Sequence, residues 1–172
     1  MNQVIIRRAE AGDVPAMALV LAKFSQDKLL LDRSEDDIYQ HLQEFVVADC
    51  EGLIVGTVAL HIYGSNLAEI RSLAVSKDFQ KNNLGKMLVQ ACETMAEELH
   101  VALVFALTYV SDFFIHLGYH IVPKEALPYK VWTVCVHCEK FSHCDEIAVQ
   151  KRLSDEMIKP MHMIPIYNKT EI

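Results

Sequence analysis

The chain has 172 residues, room for one compact domain, and its 16 Lys plus Arg against 23 Asp plus Glu give a formal net charge of −7. So acidic a surface argues against non-specific binding to nucleic acid or to an anionic membrane, where clustered positive charge is rewarded by counterion release. Hydrophobic residues at 52% and charged residues at 23% exclude a disordered chain, and the longest fully apolar run, residues 101–107, is too short to span a bilayer.

In chain order, residues 4–7 predict a first strand, with no basic or apolar leader ahead of it, so the expected location is cytoplasmic. Asp13 stands where a helix N-cap belongs, with Pro15 in the first turn and Met17, Leu19, Val20 and Leu21 as the apolar side. Ser34, with Asp37 three residues on, makes a short capping box for a second helix ending near Phe45. Residues 45–49 and 53–63 read as two strands of a hairpin turning at Glu51-Gly52. Residues 68–75 form a further strand, and strict alternation puts Glu69, Arg71, Leu73 and Val75 on one face.

Residues 84–99 are the clearest helix. Leu84, Met87, Leu88, Ala91, Cys92, Met95, Ala96 and Leu99 recur at helical spacing as one apolar stripe, which places both methionines in the core. Residues 101–107 suit a strand buried on both faces. Ser111 caps a short helix through His116, Gly118 ends it, and residues 119–122 return as a strand. A helical turn is expected after Pro128 and a last strand over 146–151. This order predicts a mixed α/β sheet in a single domain, residues 1–153. A polar tail, 154–172, follows, in which Met161, Met163, Ile164 and Ile166 offer a homodimer contact.

Five cysteines, an odd number without secretory features, fit reduced thiols. Cys135-x2-Cys138-x5-Cys144, with His137 and His143 interleaved, carries zinc-ligand chemistry but lacks a second Cys-x2-Cys or a His pair. Packing beside Trp132 is the preferred reading, and no metal is expected. His61, His116 and His120 read as partly buried polar residues.

The informative junction runs from the strand at Arg71 through Ser76 into the helix at Leu84. A loop entering the amino end of a long helix presents free N–H groups and a positive dipole, which suits a diphosphate. Gly85 permits close backbone approach, and Asn83 tolerates a left-handed conformation. Lys77, Lys81 and Lys86 concentrate positive charge in an acidic chain. The same residues also fit an ordinary strand-to-helix turn with solvated lysines, because the glycine pattern is sparse.

The stretch from Leu73 to Leu88 resembles motif A of the GCN5-related N-acetyltransferases (GNAT), whose signature is Gln/Arg-x-x-Gly-x-Gly/Ala. Gln80, Asn83 and Gly85 stand at its three positions, with Asn83 replacing the middle glycine. Residues 113–119 are similar to motif B. Residues 29–34, 68–75 and 127–132, and the Cys-bearing run 135–146, resemble a narrower branch, short bacterial amino-acid acetyltransferases similar to N-acetylglutamate synthase.

The resemblance implies a mixed, mostly antiparallel central sheet with splayed central strands, flanking helices, and acetyl-CoA as cosubstrate. The pantetheine would pair with backbone of Leu73, Ala74 and Val75. The diphosphate would lie on Gln80, Lys81, Asn82, Asn83, Leu84, Gly85 and Lys86. An amine attacking the thioester must first lose a proton. Glu69 sits where the family commonly places that base; the alternative is a simple pair with Arg71. A tyrosine that often protonates the leaving thiolate is replaced by Phe114, which leaves Tyr109 or water for that step. Guanidinium forks hold carboxylates best, so Arg33 and Arg71 are the candidates for an amino-acid acceptor, with Ser34 adding a hydrogen bond or capping its helix. The expected activity is acetyl transfer to the α-amino group of glutamate or glutamine, of the kind used in arginine biosynthesis. Acetylation of another amine (a polyamine or a protein N-terminus) and a non-catalytic acetyl-CoA-binding module are the alternatives.

Overall fold

Seven strands build one sheet in the computed structural model, which describes residues 3–127 and 145–153. The strands are β1 (Val4–Arg8), β2 (Phe45–Cys50), β3 (Leu53–Gly64), β4 (Leu67–Val75), β5 (Leu103–Thr108), β6 (His120–Ile121) and β7 (Ile147–Arg152). The helices are α1 (Val14–Gln26), α2 (Glu35–Gln40), α3 (Leu84–Glu98) and α4 (Ser111–His116). Spatial order is β1-β2-β3-β4-β5-β7-β6. All neighbours are antiparallel except β4 and β5, which run parallel as the crossover through α3 requires.

Both faces of the sheet are covered. Val14, Met17, Val20 and Leu21 of α1 and Ile38 of α2 pack with Phe45, Val47, Ala59 and Ala74 on one side. Leu84, Leu88, Val89, Cys92, Met95 and Ala96 of α3, with Phe114 of α4, pack with Val46, Ala48, Val58, Leu60, Ile70 and Val104 on the other. Such a position, Leu88 for example, contributes about 1.5–3 kcal/mol by leaving water. β2 is accordingly buried along its whole length. β5 sends Val104 and Ala106 to the α3 side and Phe105 to the opposite one, so the expected two-faced burial is met.

The parallel pair positions the site. Only Ala68 with Val104 and Glu69 with Phe105 are in register between β4 and β5. Past Glu69 the two strands part. A bulge in β4 accompanies the parting: Thr57 faces Ala74 but Ala59 faces Arg71, three steps along β4 against two along β3. Ser72 takes a φ of +56° there. The extra residue corrects the expected alternation. Ala74 joins the α1 side, the side on which Glu69 and Arg71 lie by strand alternation, while Leu73 and Val75 turn to the α3 side.

Other expectations shift for local reasons. Asp13 holds the N-cap position of α1 as expected, but its carboxylate makes no cap bond to that helix; it accepts both Arg7 Nη1 (2.7 Å) and Nη2 (2.9 Å), and the Glu10 N–H (2.8 Å). α2 stops at Gln40, and a 3-10 turn, Leu42–Glu44, leads into β2. Ser34 caps α2 as expected, its Oγ accepting the Asp37 N–H at 3.1 Å. Leu19 and Met87 lie on the outer flanks of their helices and Leu99 lies just past the end of α3, so all three are exposed; Val14 and Val89 fill the core instead. Ser111 begins α4 rather than capping it, and Thr108 Oγ1 accepts the preceding Val110 N–H at 3.0 Å. Gly118 ends that helix at a φ of +89°. The turn after Pro128, the Cys135–Cys138–Cys144 run and the tail 154–172 lie outside the described residues.

Thr57 is fully buried, and its hydroxyl has no hydrogen-bond partner. Thr57→Val removes that desolvated group while keeping the shape. It is expected to raise unfolding stability by about 1 kcal/mol in urea denaturation, without changing the slope of the transition.

Candidate active site

The loop after β4 is held at both ends by backbone. Ser76 N–H donates to Val55 O (2.8 Å), and Gln80 reaches back with Nε2 to Val75 O (3.0 Å). Between Gln80 and the helix, Lys81 and Asn83 take φ values of +67° and +60°. Asparagine is among the few side chains that accept this conformation cheaply, which explains how it substitutes for glycine. The first α3 bond runs from Met87 N–H to Asn83 O (3.0 Å), so the N–H groups of Leu84, Gly85 and Lys86 point out of the helix end without intrahelical partners. Leu84 is buried in the core and can offer a ligand only its backbone. Gln80, Lys81, Asn82, Asn83 and Lys86 are exposed around it. A Cβ on Gly85 would come within 3.3 Å of the Phe113 ring, so any larger residue here would have to push that ring of α4 aside by a few tenths of an ångström. Leu73, Ala74 and Val75 lie on the stretch of β4 that has no strand neighbour on the β5 side.

A polar cluster stands at the root of the cleft, on the α1 side of the sheet. Glu69 of β4 is directly opposite His61 of β3, and Tyr63 donates its hydroxyl to Glu69 Oε2 at 3.1 Å. Burial pushes the Glu69 carboxyl above the ordinary carboxylate range, outweighing the charge of Arg71 and the Tyr63 bond. Arg71 turns to Glu44, donating from Nη2 to Oε2 at 2.9 Å, while its buried Nε has no hydrogen-bond partner. The simple Glu69–Arg71 ion pair is therefore replaced by an Arg71–Glu44 pair. Glu44 also takes His61 Nδ1 at 2.7 Å through its other oxygen. Burial raises the Glu44 carboxyl, but the His61 hydrogen bond and the Arg71 charge prevail and hold it below its usual value.

Arg33 arrives from the segment before α2. Its Nη1 donates to Asp37 Oδ2 at 2.6 Å, and its guanidinium lies 5.8 Å from the Phe45 ring centre. Burial first, and the Arg71 charge second, lower the Arg33 pKa, so the two guanidiniums are within electrostatic reach of each other. The fold thus gathers Glu69, Arg71 and Arg33, which are far apart in the chain. Ser34 spends its oxygen on the α2 cap. Tyr109 lies half-buried, one residue past β5. Phe114 is 3% exposed, edge-on to Phe113 and Tyr119, and belongs to the core.

Three members of the cluster escaped sequence reasoning: Glu44, His61 and Tyr63. His61 and Tyr63 share one face of a strand by simple alternation, and only the β3–β4 register, Leu60 with Ile70 and His61 with Glu69, puts them on the carboxyl group. Among the described residues, no three His, Cys, Asp or Glu side chains converge to hold a metal ion, and no helix is long and apolar enough to cross a membrane.

Residues 16–119 match the acetyltransferase (GNAT) family. An uncharacterised N-acetyltransferase of Chlorobaculum tepidum is 38% identical over 148 residues, covering 86% of this chain and 96% of that one. An amino-acid acetyltransferase of Mycobacterium tuberculosis is 35% identical over 118 residues, 67% of each chain. The structure is similar to N-acetylglutamate synthase from Neisseria gonorrhoeae complexed with coenzyme A and N-acetyl-glutamate. The TM-score is 0.81 at 24% identity, over 90% of this chain and 36% of that one. By sequence match, sheet topology and cleft alike, the chain belongs to the GNAT family: it is an acetyltransferase with acetyl-CoA as cosubstrate, on the branch that includes the amino-acid acetyltransferases.

Proposed function

We propose that this acetyltransferase acetylates the α-amino group of a small amino acid, glutamate or glutamine, with Glu69 as the base. The observation that carries the reading is that Arg71, with Arg33 within its electrostatic reach, lies one alternation step from the buried Glu69 carboxyl at the point where β4 and β5 part. A carboxylate on the acceptor is held by the guanidinium faces left over by Asp37 and Glu44, which sets its amino group toward the cleft. The coenzyme diphosphate takes the N–H groups that open α3 at Leu84, Gly85 and Lys86, with Gln80 bracing the loop and Lys81, Asn82 and Asn83 around it. The pantetheine adds to the open edge of β4 at Leu73, Ala74 and Val75, as a strand would.

Chemistry then proceeds by direct attack. Glu69 removes a proton from the ammonium, and the amine forms its C–N bond to the thioester carbonyl. A β4 N–H stabilises the oxyanion, and the C–S bond breaks. Phe114 has no proton to give, so the second proton leaving the nitrogen reaches the departing thiolate through Tyr109 or water. Similarity to an amino-acid acetyltransferase of Mycobacterium tuberculosis and to N-acetylglutamate synthase of Neisseria gonorrhoeae supports the amino-acid reading. The domain spans residues 1–153 in this reading, with 154–172 outside the catalytic unit.

A second reading is a cationic amine acceptor such as a polyamine, favoured by the three carboxylates Asp37, Glu44 and Glu69 in one cluster. A thiol-release screen of the purified protein with acetyl-CoA, the twenty amino acids and spermidine decides. Glutamate or glutamine is expected to lead, and release with spermidine alone would replace the amino-acid reading. Glu69→Gln is expected to lower kcat/KM by about 10²-fold or more. In the wild type, kcat/KM falls as pH drops through the raised Glu69 value, because the protonated carboxyl is no base; that limb is expected to vanish in the variant. Arg71→Ala is expected to raise the amino-acid KM about 10–100-fold with the acetyl-CoA KM nearly unchanged, the loss of a charge-assisted hydrogen bond.

A further inference from the structure

We propose that His61, held by Glu44, is the relay through which Glu69 returns its proton to water in each turnover. The inference rests on Glu69 being the base. It concerns a step the direct-attack chemistry leaves open.

An ammonium carries three protons and the secondary amide product one. One of the two released protons ends on the CoA thiol; the other must reach solvent. Glu69 takes a proton before the C–N bond forms, but it is buried, and that burial raises its pKa and keeps the carboxyl from direct contact with bulk water. A base in that position has to be emptied before the next acceptor can be used. His61 faces Glu69 across the β3–β4 register and is a quarter exposed at its side chain, so it borders both the carboxyl and water.

The hydrogen-bond network assigns its tautomer. Glu44 is held ionised, and its Oε1 sits 2.7 Å from His61 Nδ1. Two bare acceptors would repel at that distance, so Nδ1 carries the proton and donates it to Glu44. Arg71 Nη2 also lies 3.1 Å from Nδ1 while donating one N–H to Glu44 Oε2 at 2.9 Å; the shorter contact, 2.7 Å to the Glu44 carboxylate, decides where the Nδ1 proton goes. Nε2 is then the lone-pair nitrogen of the neutral ring, free to accept from Glu69 directly or through a water, and the resulting imidazolium is stabilised by the Glu44 carboxylate. Among the described residues, the ring is also faced by Tyr63, edge-on at 4.8 Å between ring centres, and by His41 at 6.4 Å. The proton moves from substrate nitrogen to Glu69, from Glu69 to Nε2, and from Nε2 to water; no electron pair or heavy atom changes hands in the relay. His61 acts through Glu69 and is a positioning residue, not a catalytic one.

The test is His61→Gln, assayed with whichever amine releases thiol fastest in the screen. The first turnover is expected to stay within about twofold of wild type, while steady-state kcat falls about 10-fold, giving a burst of one thiol per enzyme. Added imidazole restores kcat, and the acceptor KM stays put. A purely structural His61 would give no burst and no rescue, and either result overturns the relay, as does an unchanged kcat. Glu69→Gln separates the two readings: it slows the first turnover, with no imidazole rescue. An unchanged Glu69→Gln rate removes the base, and an unchanged His61→Gln rate removes only the relay. If His61→Gln fails to fold, Glu44→Gln carries the test, with a smaller loss of kcat and the same burst. Independently of activity, the long-range proton–nitrogen spectrum of wild-type protein at alkaline pH is expected to show His61 protonated at Nδ1. Protonation at Nε2 overturns the proposal.

Discussion

Two parallel strands joined by two residue pairs form a short seam in the middle of this sheet, and the cleft depends on that seam opening where it does. β4 and β5 stay paired at Ala68 and Glu69 and then separate, which leaves the β4 backbone from Arg71 onward open on one side. An unpaired strand edge is a liability in most proteins because it invites another strand. Here the opening lies between two central strands, flanked by α3 and by the α1 side of the sheet, and leaves room for an extended ligand instead. The bulge at Ser72 belongs to the same device. By adding one residue it swaps the faces of β4, so that Glu69 and Arg71 look toward the α1 side while Leu73 and Val75 anchor the strand against α3.

Charge is distributed with the same economy. A chain of net −7 must still bind an anionic coenzyme, and the positive sites are local: the N-terminal end of α3 with its lysines, and the Arg33–Arg71 pair. Neither arginine is left bare. Asp37 and Glu44 take one side of each guanidinium, which holds the side chains in place and offsets part of their positive charge. Elsewhere, paired charges are fasteners. Arg7 bridges Asp13 and Asp49, tying the turn before α1 to β1 and β2. Lys151 and Tyr119 meet on Glu93, tying β7 and the end of α4 to α3. That second fastener matters to the coenzyme loop, because α4 lies against Gly85 through Phe113.

Much of the fold was legible in the chain, because its elements are strongly periodic. The α3 stripe, the buried β5 run, the Ser34 cap and the glycine stop at Gly118 each follow from local physics that tertiary packing had no reason to override. The errors fall where local rules meet a neighbour. Asp13 looks like a cap until Arg7 claims its carboxylate, and Met87 looks like core until the sheet surface decides which flank of α3 it covers.

The candidate site divides along the same line. The coenzyme loop is contiguous, residues 73–86, so its chemistry and its likeness to a known motif could be read directly from the sequence. Glu69, Arg71 and Arg33 could be named for the same reason, each lying in a recognisable segment. What they touch could not be read. Whether Arg71 pairs with Glu69 or Glu44, and whether His61 is a buried bystander or a neighbour of the carboxyl, depends on strand register and on one bulge. A shift of a single residue reverses every side chain beyond it, and no local preference records that shift. The chain by itself determined the elements and the kind of ligand its loop is built for. Only the packing of β3 on β4, with Glu44 brought in from the turn before β2, decided which side chains share a proton.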